Sequence, residues 1–219
     1  MESFVFGTSA LGMAIPAFRF GKAGPEVLIL GGVHGNEIEG TAASFGLLKK
    51  FSDDYKYNLK ITLVPAFNLD GVLKQTRLNG QNVDLNRNLP TRDWSPKAFD
   101  PKYPPGPCSL SEPENKSLVS FLGQFNPKLI ISLHSWHPLL NVNGDCMAEA
   151  KVLSQLTNYE IKEEIGYPTP GCLGTYAGIE RNMPTLTYEI ERELSLDKVI
   201  SVHVKAILEA LYVTEKERQ

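Results

Sequence analysis

The residues best suited to chemistry are a histidine and a glutamate, His34 and Glu37, which stand three positions apart. They follow the apolar run at residues 28–30, which is typical of a strand, and precede a helical pattern. Two glycines between strand and histidine let the backbone approach a ligand closely. An imidazole and a carboxylate at such a junction form half of a catalytic metal site, which needs a third protein ligand and an open position for water. Each residue alone is also common as a solvated or core side chain.

The third candidate ligand is His134, which ends a predicted buried strand at residues 128–133. Open α/β sheets bind ligands at the carboxyl ends of their strands, and an unpaired imidazole there would be costly. His34, Glu37 and His134 together form the two-histidine, one-carboxylate set of hydrolytic zinc sites. The chain contains no His-Glu-x-x-His sequence, which excludes the helix-borne metalloprotease arrangement.

Two further positions suit a hydrolase. Glu189 lies in an apolar predicted strand, where an ionisable side chain indicates a site and a general base. The alternative is a carboxylate that faces solvent at the strand end. Arg87 stands between Asn86 and Asn88 in a loop, a grouping that suits bidentate capture of a carboxylate. A surface turn would use the same residue types.

The elements that position these residues alternate between strands and helices. Strands are predicted at residues 4–6, 13–20, 26–32, 59–65, 128–133 and 185–190, and helices at residues 37–50, 111–125, 145–158 and 196–212. Residues 68–110 lack periodicity and are predicted to form one long loop, with Ser111 as the N-cap of the helix that follows. This order predicts an α/β fold with a central mixed, mostly parallel β-sheet and helices on both faces.

Composition narrows the function classes. The 219 residues are 42% hydrophobic and predict a single domain over residues 1–219. The formal net charge of -3 is spread along the chain, so neither a nucleic acid nor a membrane surface is expected as a partner. A small polar ligand is expected instead. Three widely spaced cysteines fit reduced thiols. The sequence shows neither a basic leader nor an apolar run near 20 residues, which predicts a cytoplasmic protein.

Several short motifs occur in the order seen in the zinc carboxypeptidase family, and over about residues 26–193 the chain resembles that family. The motifs are Gly-Gly-Val-His-Gly-Asn-Glu at 31–37, Asn-Leu-Asp-Gly at 68–71, Thr-Arg at 76–77, Val-Asp-Leu-Asn-Arg-Asn-Leu-Pro at 83–90, Ser-Glu-Pro-Glu at 111–114, Ser-Leu-His-Ser at 132–135, Gly-Tyr-Pro-Thr-Pro-Gly at 166–171 and Thr-Tyr-Glu at 187–189. Within the family the chain looks most like enzymes that cleave γ-D-glutamyl-diaminopimelate bonds in cell-wall peptides. The resemblance thus implies a small peptide substrate derived from murein.

The resemblance assigns roles around one zinc ion. It implies that His34, Glu37 and His134 are the zinc ligands. Glu189 matches the general base that takes a proton from water and delivers it to the leaving amine. Asp84 matches the carboxylate that fixes the tautomer and orientation of the His34 ring.

The resemblance also assigns the residues that hold the substrate. Asn86 and Arg87 match the pair that binds the terminal carboxylate of the peptide. Arg77 matches the arginine that polarises the scissile carbonyl and stabilises the oxyanion. Tyr167 corresponds to the mobile tyrosine over the substrate, with Tyr176 as the alternative.

A side-chain pocket is implied at Cys172 and Leu173. Residues 135–138 depart from the usual continuation after the third ligand, near where substrate would lie, so the choice of peptide stays open.

Three other functions are alternatives to peptide hydrolysis by a zinc enzyme. Acyl-amino-acid deacylases of the aspartoacylase and succinylglutamate desuccinylase type share the Gly-Gly-x-His-Gly-Asn-Glu start. A relative could bind peptide without cleaving it. A serine hydrolase could use Ser132 or Ser135, although the chain has no Gly-x-Ser-x-Gly elbow. The sequence does not predict the oligomeric state.

Overall fold

The computed structural model describes residues 1–218 and contains one sheet of eight strands. The strands are β1 (Glu2–Thr8), β2 (Ala14–Phe20), β3 (Glu26–Leu30), β4 (Lys60–Val64), β5 (Leu129–Trp136), β6 (Leu139–Asn143), β7 (Glu160–Lys162) and β8 (Thr185–Glu191). They lie in the order β1-β2-β4-β3-β5-β8-β6-β7. The apolar runs of β3 and β5 are nearly free of charge, which is why these strands lie at the buried centre.

The central strands β4, β3, β5 and β8 run parallel to one another, so their carboxyl ends meet at one edge. The outer pairs β1–β2, β2–β4 and β6–β8 are antiparallel, and β7 pairs with β6 in parallel. The predicted mixed, mostly parallel sheet is therefore confirmed. Its carboxyl edge is where residues that follow β3 and residues that end β5 and β8 come together.

Helices cover both faces of the sheet. They are α1 (Ile38–Asp53), α2 (Leu69–Lys74), α3 (Pro113–Phe125), α4 (Met147–Thr157), α5 (Leu196–Lys198) and α6 (Lys205–Glu217), with π-helical turns at Gly174–Ile179 and Val199–Val204. Strand β3 shows the division between the faces. Val27 and Ile29 belong to the core cluster that contains residues of α1, α4 and α6, whereas Leu28 and Leu30 belong to the cluster that contains residues of α3. Alternate residues of a strand point to opposite faces, so one apolar run serves both layers. Within residues 1–218, no helix has both the length and the apolar character required to cross a bilayer.

The predicted loop at residues 68–110 is partly helical, and that prediction was wrong in this respect. Asn68 caps α2 by accepting a hydrogen bond from the Gly71 amide at 2.9 Å, and a 3₁₀ turn covers Leu85–Arg87. Both helices are too short to show periodicity.

Other details of the secondary structure also differ from the prediction. Strand β5 continues past residue 133 to Trp136. Strands β6 and β7 were not predicted, because both are short and contain polar residues. Glu112, rather than Ser111, occupies the N-cap of α3, and the Ser111 hydroxyl donates to the Glu112 carboxylate at 2.6 Å.

Candidate metal centre and catalytic cleft

His34 and Glu37 are positioned by a tight turn between β3 and α1. Gly32 has a φ of +62°, which a residue with a side chain adopts only at a cost, and the Glu37 amide then donates to the His34 carbonyl at 3.1 Å. A Cβ built on Gly35 would overlap the backbone of Gly71 in α2, so the turn needs glycine there as well. Glu37 stands at the N-cap of α1 but makes no capping bond, and its carboxylate faces the histidine instead.

His134 joins the pair from the neighbouring strand β5. Its Nδ1 lies 3.2 Å from His34 Nδ1 and 2.8 Å from Glu37 Oε2, while His34 Nδ1 lies 2.9 Å from Glu37 Oε1. One ligand atom from each of the three residues lies within 4.8 Å of the others, and all three residues are buried. The structure thus brings together the three residues that the sequence predicts as metal ligands.

The other nitrogen of each ring is held from behind. Asp84 Oδ1 accepts from His34 Nε2 at 3.0 Å, and the Ser132 hydroxyl lies 2.9 Å from His134 Nε2. With the ring protons on the Nε2 atoms, both Nδ1 lone pairs and the Glu37 carboxylate converge on one point. That point is rich in acceptor atoms. A metal ion that prefers two nitrogen ligands and one oxygen ligand fits this donor set, and zinc is such an ion.

The buried charges set the protonation of these groups. Burial alone would raise the pKa of Glu37, but the two facing imidazoles hold it well below its usual range. The pKa of Asp84 is also lowered, because His34 and Arg77 overcome the effect of its burial. Burial disfavours the charged form of His34, yet the carboxylates of Glu37 and Asp84 leave its pKa raised. Both carboxylates are therefore ionised at neutral pH.

Arg77 ties these acidic groups together. Its Nε donates to Asp84 Oδ2 at 2.9 Å and its Nη1 donates to Glu37 Oε1 at 3.1 Å. The guanidinium lines the cleft beside the candidate ligands, which is where the resemblance places an oxyanion donor.

Glu189 lies next to His134 because β5 and β8 are parallel neighbours and the two residues are paired in register. Its Oε2 is buried and has no hydrogen-bond partner among the described residues. Burial raises the pKa of Glu189 to about 7, against the opposing effect of His134. A carboxyl group with these properties can accept and release a proton near neutral pH.

A cleft open to solvent is lined by several of these groups, namely His34, Glu37, Arg77 and Glu189. Asn86 and Arg87 lie on its wall. Asn86 Oδ1 accepts from the Leu173 amide at 2.9 Å and Arg87 Nη1 donates to the Asn86 carbonyl at 2.7 Å. The amide N–H groups of Asn86 and the rest of the Arg87 guanidinium therefore remain as donors toward the cleft. Donors of this kind suit a carboxylate.

The two tyrosine alternatives separate in the structure. Tyr167 is half-buried on the cleft wall, and its ring lies 5.8 Å from that of Trp136. Tyr176 is buried in the hydrophobic core with Arg181 over its ring. Of these two tyrosines, Tyr167 is therefore the one placed to touch a ligand in the cleft.

The side-chain pocket was predicted partly wrongly. Cys172 lines the cleft, but the side chain of Leu173 is buried in the core between the sheet and α3. Leu173 begins a helical turn, so its side chain points away from the cleft while its amide supports Asn86. The polar side chains of Asn141 and Asn143, from the missed strand β6, line the cleft instead.

The roles of three other residues of the site were not predicted from the sequence. Ser132 is two positions before His134, and strand alternation is a signal that could have found it. Arg192 donates to the carbonyls of Ser135 and Asn36, at 3.0 and 3.1 Å, and so links the two segments that carry the candidate ligands. Tyr103 lies in the segment predicted as a loop and lines the cleft. No pattern in the neighbouring sequence predicts that position.

The two serines considered as nucleophiles are both buried. Ser132 lies against His134, and the Ser135 hydroxyl accepts from the Gly40 amide at 2.9 Å. Neither hydroxyl lines the cleft. The geometry disfavours a serine hydrolase.

Comparison with known proteins agrees with this arrangement. Murein peptide amidase A of Vibrio campbellii (strain ATCC BAA-1116) is 30% identical over 219 residues, which cover 94% of this chain and 86% of that protein. Murein peptide amidase A of Escherichia coli (strain K12) is 27% identical over 197 residues, 84% of this chain and 79% of that protein. The crystal structure of murein-tripeptide amidase MpaA from Escherichia coli O157 superposes with a TM-score of 0.82 at 23% identity, covering 96% of this chain and 92% of that chain.

The family model for zinc carboxypeptidases, Peptidase M14, matches residues 1–197. That stretch includes every residue that the cleft argument uses, from His34 to Arg192. With the fold, the histidine–glutamate–histidine group and this match in agreement, the chain belongs to the zinc carboxypeptidase family.

Proposed function

We propose that residues 1–219 form a single catalytic domain that hydrolyses an amide bond next to a free terminal carboxylate. One observation carries the proposal: His34 and Glu37 of the candidate metal-binding group line the same cleft as Glu189, whose Oε2 has no hydrogen-bond partner within residues 1–218. A hydrolase needs both a polarised water and a base that is not a ligand, and this cleft offers a place for each.

The proposed substrate is a murein peptide, cleaved at the γ-D-glutamyl–meso-diaminopimelate bond. The names of the two amidase relatives and the extent of their alignment support this choice. The donors on Asn86 and Arg87 suit the terminal carboxylate of such a peptide. The polar side chains of Asn141 and Asn143 suit the polar side chain of the residue that is released.

His34, Glu37 and His134 would hold one zinc ion. When bound, zinc supplies Lewis-acid chemistry, which makes water a better nucleophile and polarises a carbonyl. Asp84 and Ser132 orient the two rings through their Nε2 atoms, so the Nδ1 lone pairs stay free for metal binding.

The remaining steps belong to side chains of this chain. Glu189 takes a proton from the attacking water and gives it to the leaving amine, a role that suits a carboxyl whose pKa burial raises to about 7. Arg77 donates to the oxyanion that forms on the carbonyl, which is worth about 3 kcal/mol in comparable sites. Asn86 and Arg87 hold the terminal carboxylate, and Tyr167 covers the bound peptide.

The test is incubation of the zinc-loaded protein with murein tripeptide and tetrapeptide, followed by mass analysis of the products. Glu189→Gln should lower kcat about 1000-fold while zinc stays bound, because the amide cannot accept the proton. Glu191→Gln is the matched control, since Glu191 is an exposed carboxylate on the same strand. Full activity in the Glu189→Gln variant would refute the proposed base.

The other functions have their own outcomes in this assay. Cleavage of N-acyl amino acids in preference to murein peptides would indicate the desuccinylase-type activity. Tight peptide binding without products would indicate a non-catalytic relative. Inhibition by a serine-directed reagent but not by a chelator would exclude the metal mechanism.

A further inference from the structure

One aromatic ring, that of Tyr103, lies against two of the arginines that line the cleft, Arg77 and Arg87. The Arg77 Cζ is 4.8 Å from the ring centroid and the Arg87 Cζ is 5.0 Å from it. Lys102, the exposed residue that precedes Tyr103, places its Nζ 4.9 Å from the same centroid. An aromatic face attracts cations within about 6 Å, so the ring offsets the repulsion between guanidinium groups held close together.

The two arginines depend on this ring to different degrees. Arg77 is already fixed by hydrogen bonds to Asp84 and Glu37. Arg87 makes one side-chain hydrogen bond within residues 1–218, to the carbonyl of its neighbour Asn86. The contact with Tyr103 therefore contributes more to the position of the Arg87 guanidinium than to that of Arg77.

Two hydrogen bonds join the segment that carries Tyr103 to the segment that carries Arg87. The Asp84 amide donates to the Pro104 carbonyl at 2.8 Å, and Asn88 Nδ2 donates to the Pro105 carbonyl at 2.8 Å. These bonds lie on either side of Arg87 in the sequence and directly after Tyr103. The segment that carries the ring is thus tied to the segment that carries the guanidinium.

Tyr103 also contacts the cleft wall opposite the arginines. Its ring is stacked on that of Tyr167, with centroids 6.4 Å apart and planes 9° from parallel. The Tyr103 ring thus lies between the donors for a terminal carboxylate and the tyrosine proposed to cover the peptide.

We infer that Tyr103 is a positioning residue, whose ring fixes the distance between the carboxylate-binding Arg87 and the oxyanion donor Arg77. This inference rests on the proposed function. The fixed distance selects substrates in which the scissile carbonyl lies one residue from a free carboxylate. Tyr103 itself touches neither metal nor reacting atoms in this scheme.

The test compares Tyr103→Phe, which keeps the ring, with Tyr103→Leu, which removes it. Phe99→Leu is the matched control, because Phe99 is an exposed aromatic residue on the same loop. Each variant is assayed on murein tripeptide and on its analogue amidated at the terminal carboxylate, and zinc content and thermal unfolding are checked. Tyr103→Leu should raise KM for the free acid about tenfold with a smaller change in kcat, and should lower the preference for free acid over amide.

A second measurement needs no turnover. N-acetylalanine and N-acetylalaninamide are titrated into the zinc-loaded protein and followed by NMR chemical shifts. Wild type, Tyr103→Phe and Phe99→Leu should prefer the carboxylate to the amide, and Tyr103→Leu should lose most of that preference.

An unchanged preference in Tyr103→Leu would overturn the inference, as would no preference in the wild type. An equal loss in Tyr103→Phe would also overturn it, since the hydroxyl rather than the ring would then be responsible. A wild-type protein that prefers the carboxylate but cleaves no peptide would overturn the proposed function alone.

Discussion

Replacement of Asp84 by asparagine tests the support behind the candidate metal ligands. The Asp84 carboxylate accepts three hydrogen bonds: from His34 Nε2 at 3.0 Å, from Arg77 Nε at 2.9 Å and from the Asn86 amide at 2.9 Å. An asparagine can satisfy only part of this set. Its oxygen can serve His34 and Asn86, but its N–H₂ group then faces the N–H donor of Arg77. The reverse orientation places the N–H₂ group against His34.

The expected magnitude follows from what the carboxylate does for His34. Asp84 fixes the proton on Nε2 and, together with Glu37, raises the pKa of the ring, which makes Nδ1 a stronger ligand. Loss of such a partner typically weakens metal binding by about 10–100-fold, or about 1.4–2.8 kcal/mol. We therefore expect Asp84→Asn to bind zinc about 10–100-fold more weakly than the wild type.

The assay is competition for zinc between the metal-free protein and a chromophoric chelator at pH 7.5, with circular dichroism as a check of folding. Glu149→Gln is the matched control, because Glu149 is also fully buried and also accepts from an arginine, with Arg218 Nε 2.8 Å away. Glu149 lies in α4, away from the cleft. The reasoning is refuted if Asp84→Asn binds zinc within twofold of the wild type, or if Glu149→Gln loses as much affinity.

Two further predictions concern stability. Gly35→Ala should lower the free energy of unfolding by about 3 kcal/mol and weaken zinc binding, since the added Cβ overlaps Gly71, whereas Gly123→Ala, at an exposed helical site with open space, should raise it by about 0.5–1 kcal/mol in chemical denaturation. An equal loss at both glycines would contradict the packing argument. Burial lowers the pKa of His203, whose Nδ1 is 2.6 Å from the Tyr188 hydroxyl, to about 4. The unfolded state then binds an extra proton as pH falls below 6.5. After a discount for solvent screening, the wild type should lose about 1–2 kcal/mol between pH 7.5 and 4.5 that His203→Gln does not lose. An equal change in the free energy of unfolding with pH in the two proteins would refute this prediction.

The local parts of the site could be predicted from the sequence. His34 and Glu37 lie in one turn, so the glycines before them and the helical pattern after them locate both side chains. His134 and Glu189 each stand out as ionisable residues in apolar strands. Periodicity reports backbone geometry over a few residues, and these four positions depend on little else.

The helices and central strands were also predictable, because each has an apolar pattern long enough to show its period. The exceptions share a cause. Helix α2 has six residues and β7 has three, too few for a pattern. Residues 68–110 consequently looked like one loop, although α2 and the 3₁₀ turn organise it.

Only the tertiary structure decided which side chains of the loops face the cleft. Tyr103 meets Arg77 and Arg87 because hydrogen bonds from Asp84 and Asn88 hold its segment, and no local signal in the sequence encodes that contact. Tyr167 enters the cleft while Leu173 turns into the core, and the difference depends on packing against strands far away in the chain. The sequence by itself therefore determined the candidate metal ligands and the candidate base, since local backbone patterns place them. The orientation of the loop residues that line the cleft depends on contacts between distant parts of the chain, which only the folded structure supplies.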